Sequence, residues 1–112
     1  MIKQNERFPT RHRLTLEHSG TFSGVAISGL TYSGMSVDMS RNGLRVRLKA
    51  SLVVPLGTPV IVNLAPDIPE WDDEDPLIFE ARVVWRRASE VGLQITEMSF
   101  RTSKIYCDLL HY

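Results

Sequence analysis

Two short segments carry the residues with most to offer a ligand. Arg7-Phe8-Pro9-Thr10-Arg11 presents two guanidinium forks four positions apart. Asp38-Met39-Ser40-Arg41-Asn42-Gly43 presents a carboxylate, a hydroxyl and a third guanidinium ahead of a glycine. A guanidinium donates two parallel N–H bonds, which suits a phosphate and equally the O6 and N7 acceptors of guanine. Its flat face can stack on a base. The N1–H and N2–H₂ donors of guanine call for a carboxylate or a carbonyl, and Asp38 is one. Together these residue types suit an anionic purine nucleotide. Pro9 and the lack of helical periodicity make residues 1–12 an arm, able to wrap a ligand and become ordered on it. Gly43 falls where a tight turn or a close backbone approach needs no side chain.

Such groups need a scaffold, and 112 residues suffice for one domain with one core. The formal net charge is zero, so any electrostatic site must come from local placement. Lys3, Arg7, Arg11 and Arg13 cluster near the start, with Arg41, Arg45, Arg47 and Lys49 further on. Asp67, Glu70, Asp72, Asp73, Glu74 and Asp75 form one acidic loop. Cys107 is the only cysteine, which excludes an intrachain disulfide. The start lacks the apolar stretch of a secretory signal, and no apolar run approaches the roughly 20 residues that span a bilayer. The expected compartment is the cytoplasm, with no direct membrane insertion.

Period-two alternation dominates the chain and predicts strands. Leu44, Val46 and Leu48 alternate with Arg45, Arg47 and Lys49, whose simplest role is the solvated face of a strand. Leu77 to Arg86, Val91 to Thr96 and Val60 to Leu64 alternate in the same way, with Trp85 on the core side. Earlier candidates are Arg13–His18, Phe22–Ser28 and Leu30–Asp38, with a hairpin at Ser19-Gly20 and another at Arg87-Ala88-Ser89-Glu90. Pro55-Leu56-Gly57-Thr58-Pro59 is a bend. The acidic loop is expected to be exposed, with Trp71 available to a partner. Ser99 can cap a final helix whose inner face holds Thr102, Ile105, Tyr106 and Leu109. The expected fold is mainly all-β, a small six- to seven-stranded antiparallel β-barrel with a C-terminal α-helix at about 99–110. The arm of residues 1–12 precedes that barrel, which takes up residues 13–112.

The pairing of Arg-x-x-x-Arg with a later Asp-x-Ser-x-x-Gly resembles the PilZ domain, the bacterial cyclic di-GMP receptor module. The likeness extends to Gly43-Leu44-Arg45-Val46 after the second motif. It continues through Ala81-Arg82-Val83-Val84-Trp85 and Glu90-Val91-Gly92-Leu93-Gln94-Ile95, similar to a closing hairpin. The resemblance implies that Arg7 and Arg11 grip phosphate and guanine. It also implies that Asp38 and Ser40 hydrogen-bond guanine and that Gly43 shapes the turn. Arg13 and Arg41 are further candidates. At Glu6 the chain departs from many relatives, which carry another arginine there. The implied function is a second-messenger receptor that passes cyclic di-GMP occupancy to a protein of a motility, adhesion or exopolysaccharide system.

Other chemistries find little footing. His12, His18 and His111 with one cysteine make no metal spacing, and the acidic loop lacks the pattern of a calcium loop. No nucleophile elbow or phosphate-cradling Gly-x-x-x-x-Gly-Lys loop is present, so neither an enzyme nor a cofactor is expected. A polymeric nucleic acid is not expected, because the basic strand Leu44–Lys49 has no interleaved aromatics. The alternative is a ligand-independent adaptor of the same fold, acting by protein–protein contact through the acidic loop and helix.

Overall fold

The computed structural model describes residues 7–22, 25–52, 55–69, 71 and 75–110, with the backbone alone for 19–22 and 25–30. Among the described residues seven strands run in chain order. They are β1 (Phe8–Pro9), β2 (Arg13–Phe22), β3 (Val25–Met39), β4 (Gly43–Leu48), β5 (Pro59–Ala65), β6 (Leu77–Arg87) and β7 (Glu90–Glu97). A helix, α1 (Phe100–Leu109), follows. Every strand pairing is antiparallel. The order β3-β2-β5-β6-β7-β4 returns to β3 through a β3–β4 pairing, which closes a six-stranded barrel. Closure removes the free sheet edges that would otherwise template association. β1 is the extra strand, on the same edge of β3 as β2. β2 pairs with β3 only as far as Met35, and β1 takes over at Asp38 and Met39.

The alternation seen in the sequence is what fills this barrel. Leu44, Val46 and Leu48 point inward from β4, Val60, Val62 and Leu64 from β5, and Leu77, Phe79, Ala81 and Val83 from β6. Leu14 and Leu16 of β2 and Val91 and Leu93 of β7 complete the lining. The hydroxyl of Ser99 accepts a hydrogen bond from the Thr102 amide at 3.1 Å, capping α1 as a serine at that position should. Tyr106 and Leu109 are the helix residues buried against the barrel.

Four expectations are corrected. The candidate Phe22–Ser28 is divided, Phe22 ending β2 and Val25–Ser28 opening β3, which runs on through the candidate Leu30–Asp38, while Arg13–His18 continues to Phe22. Ser19-Gly20 is therefore no hairpin. The register shifts there between His18 and Gly20, an irregularity inside a pairing that continues to Phe22 and Val25; residues 23–24 lie outside the described residues. Trp85 is not core. A register shift between Val83 and Trp85 breaks the alternation, and the indole lies outside, against Gly92, where any Cβ would collide with it. Trp71 is not freely exposed: it packs on the core beside Ile68 and donates to the Asp75 carbonyl at 3.2 Å. Glu70 and residues 72–74 of the acidic loop lie outside the described residues.

Two expected turns hold. Gly57 adopts φ 87° in the Pro55–Pro59 bend, and Thr58 donates from both its amide and its hydroxyl to the Pro55 carbonyl. In the β6–β7 hairpin Arg87 faces Glu90 and Ala88 takes a left-handed φ of 54°.

Candidate functional site

The arm does not hang free beyond residue 7. Phe8 and Pro9 face Met39 and Asp38, the Thr10 amide donates to the Val37 carbonyl at 3.0 Å, and the Ser36 amide donates to the His12 carbonyl at 2.8 Å. The buried Ser36 hydroxyl oxygen accepts from both the His12 amide (2.8 Å) and the Thr10 hydroxyl (2.7 Å). This stitching carries the first motif onto the outer face of β3, beside the second.

Asp38 faces outward because of a local irregularity. Ser36 points in, and strict alternation would send Asp38 in as well. The β3–β4 register shifts between these two residues, so Val37 and Asp38 both lie outside and Met39 returns to the core. A bulge that re-aims one side chain is a common device beside binding sites. Arg7 Nη1 then lies 2.8 Å from Asp38 Oδ1, and Arg45 Nη2 lies 2.8 Å from Asp38 Oδ2. The chain of charges continues along β4 and β7. Arg45 Nε is 3.8 Å from Glu90 Oε1, and Arg47 Nη2 is 2.9 Å from Glu90 Oε2. Glu90 titrates below the usual carboxylate range, chiefly because Arg47 donates to it, with Arg45 and Arg87 adding to the effect.

Arg11 is exposed and lines a groove of about 390 Å³ with Met35, Ser36, Val37, Arg47 and Lys49. A second groove of about 470 Å³ shares Met35 and Lys49 and is bordered by Arg13, Ser33 and Asn63. The structure thus brings Arg7 into contact with Asp38 and places Arg11 and Arg13 on the same outer face. Arg41 is exposed at the adjacent turn.

Ser40 and Gly43 are placed differently. Ser40 is buried, and both its amide (2.8 Å) and its hydroxyl (3.3 Å) donate to the Gly43 carbonyl across the β3–β4 turn. A Cβ on Gly43 would overlap the Leu93 carbonyl oxygen of β7, so only glycine fits. The Tyr106 hydroxyl reaches the same turn from α1, 2.7 Å from the Ser40 carbonyl and 3.1 Å from the Gly43 carbonyl. Burial pushes the Tyr106 hydroxyl well above its ordinary value, which keeps it a donor. Its ring packs edge-on against Phe79 with centroids 5.7 Å apart. His12, at the seam between arm and barrel, accepts the Asp67 amide on Nδ1 at 2.9 Å. Burial lowers its pKa, with Asp67 opposing, and favours the neutral ring that can accept.

Sequence reasoning missed Arg45, Glu90, Tyr106 and His12 as parts of this assembly. The Arg45 and Arg47 alternation was visible, but Glu90 becomes their partner only through the β4–β7 register, in which Arg47 faces Glu90. Tyr106 was placed on the inner helix face, without any sign that its hydroxyl would meet the motif. Among the described residues no group of three His, Cys, Asp or Glu could hold a metal ion.

The PilZ domain family model matches residues 2–108, nearly the whole chain. The chain belongs to the PilZ family. PilZ domains are a cyclic di-GMP receptor family, binding modules rather than enzymes. Among solved structures, the PilZ domain of CeSA from a cellulose-synthesizing bacterium is similar, with a TM-score of 0.67 at 19% identity over 96% of each chain. At that identity the likeness shows a shared fold. The search of curated proteins found no match. Among the described residues of this PilZ chain, no helix is long and apolar enough to cross a membrane.

Proposed function

We propose that this PilZ domain is itself a cyclic di-GMP receptor that reports ligand occupancy to a protein partner. One observation carries the reading. Arg7 of the first motif and Asp38 of the second, distant in sequence, meet at 2.8 Å on the outer face of β3, beside the groove that Arg11 lines. In the ligand-free state Arg7 and Arg45 occupy the Asp38 carboxylate. On binding, guanine N1–H and N2–H₂ take one carboxylate oxygen and Arg7 turns to a phosphate. The exchange costs little on the Arg7 side, whose guanidinium is about half-exposed, and the largely covered Asp38 carboxylate trades one donor for another. Arg11 supplies the second fork, with Arg13 and Arg41 at the margins. Ser40 and Gly43 hold the turn on which Asp38 depends. Rearrangement of the 1–12 arm then alters the surface offered to a partner, a protein or domain of a motility, adhesion or exopolysaccharide system in the cytoplasm.

Calorimetric titration of the Arg7→Ala/Arg11→Ala variant beside wild type tests this. Wild type is expected to bind cyclic di-GMP and the variant to lose binding, with nearly the same thermal midpoint in both. Equal binding by the two overturns the assignment of the clamp. The ligand-independent adaptor is the outcome if neither binds.

A further inference from the structure

Glu90 occupies an unusual place. Its carboxylate is the only acid in contact with Arg45 and Arg47 besides Asp38, among the described residues. It stands between two grooves: Arg47 borders the one that Arg11 lines, while Arg45 and Glu90 border another of about 490 Å³ with Trp85 and Arg87. The hairpin that presents it is pinned to β4, since the Leu48 amide donates to the Ser89 carbonyl at 2.7 Å. The contact between Glu90 and Arg45 is incomplete. At 3.8 Å Arg45 Nε is too far to hydrogen-bond, and that buried N–H has no hydrogen-bond partner. Arg45 is held by Asp38 through Nη2 and its side chain is partly exposed, so the one N–H left without an acceptor marks a place where an anion's oxygen would be favoured. Arg47 is mostly exposed and gives up little by changing partner.

We propose that Glu90 is a built-in anion that the phosphate groups of the ligand displace, turning Arg45 and Arg47 into a second phosphate clamp on β4. This rests on the cyclic di-GMP reading above. In the ligand-free protein Glu90 keeps the two guanidiniums ordered and offsets one of their two charges, which also limits capture of simple anions. A bis-phosphate ring bridging from the Arg7–Arg11 clamp brings an oxygen to Arg45 Nε and draws Arg47 off Glu90. Glu90 therefore sets the affinity of the site by competing with its ligand.

The test is a calorimetric series with cyclic di-GMP at low ionic strength on wild type, Glu90→Gln, Arg47→Ala and the double variant. Glu90→Gln removes the competing charge while keeping the side-chain shape, and is expected to tighten binding about two- to fivefold. Arg47→Ala is expected to weaken it about tenfold, and to shrink the gain from Glu90→Gln. The gain should also fade at high salt. Unchanged or weaker binding by Glu90→Gln, with wild type binding normally, overturns the proposal alone. That result, with a lowered thermal midpoint, makes Glu90 only a strap between β4 and β7. No binding by wild type overturns the receptor reading first. Should Glu90→Gln fail to fold, Arg47→Ala decides: unchanged affinity overturns the proposal.

Discussion

The outer face of β3 and the turn that follows it contain adjacent parts of one motif, yet they are built on opposite terms. On the outer face, Arg7, Asp38, Arg45, Glu90 and Arg47 form a chain of partly exposed ion pairs, each able to exchange its partner for a ligand at small cost. In the turn, Ser40, Gly43, Leu93 and Tyr106 form a buried set in which each contact is fixed by close approach or by a hydrogen bond. Exchangeable charge on a rigid footing is what a small receptor needs: the recognition groups stay free to move while the strand ends that aim them do not.

Substitutions on the two sides should separate cleanly. Among single substitutions the largest effect on binding is expected from Asp38→Ala. It removes the acceptor for guanine N–H groups, a loss of ~1.5–3 kcal/mol and so roughly ten- to hundredfold in affinity. Its thermal midpoint should fall only slightly, because both partner arginines are more than two-fifths exposed. Gly43→Ala is expected to act in the opposite way. Its Cβ meets a backbone oxygen that cannot rotate aside, so stability should drop by ~1–3 kcal/mol in chemical denaturation, with binding weakened only through misaiming of Asp38.

Tyr106→Phe comes next. It keeps the ring against Phe79 and removes the donor shared by the Ser40 and Gly43 carbonyls, which should cost ~1–2 kcal/mol, measured in the same way. The smallest effect concerns the seam between the two regions. The folded protein lowers the pKa of His12 below its ordinary 6.5, so below that pH the unfolded chain binds the proton more readily. The His12 contribution to stability is therefore intact above pH 6.5 and is lost as the pH falls from there towards the lower folded-state value. Thermal midpoints of wild type should show this loss, and those of His12→Asn, which keeps an acceptor without the titration, should be flatter. An identical pH profile for both would assign the acid sensitivity elsewhere.

Much of this contrast was legible in the residues themselves. Alternation places the inward faces of β4, β5 and β7 correctly, and that of β6 as far as Val83, because one buried and one wet face impose a period of two. The PilZ resemblance, drawn from the two motifs and the closing hairpin, agrees with the family match over residues 2–108. The side-chain placements that alternation misses at Trp85 and Asp38 share one cause, which is register. The shifts at Ser36/Asp38 and at Val83/Trp85 change which side the following residue faces, and no local composition announces them. Trp85 lies outside the core for that reason, and Asp38 leaves the core side for the same reason, its carboxylate covered by Arg7 and Arg45. The Arg47–Glu90 contact was invisible because it spans two strands far apart in sequence. The Tyr106 contact needed the helix docked before its hydroxyl had an address.

The most direct test of the central claim is calorimetric titration of the wild-type protein with cyclic di-GMP, with GMP and cyclic di-AMP as controls. Saturable binding of cyclic di-GMP, and neither control matching it, is the expected result. No saturable heat with cyclic di-GMP would contradict the account and leave the ion pairs on β3 and β4 as surface structure alone.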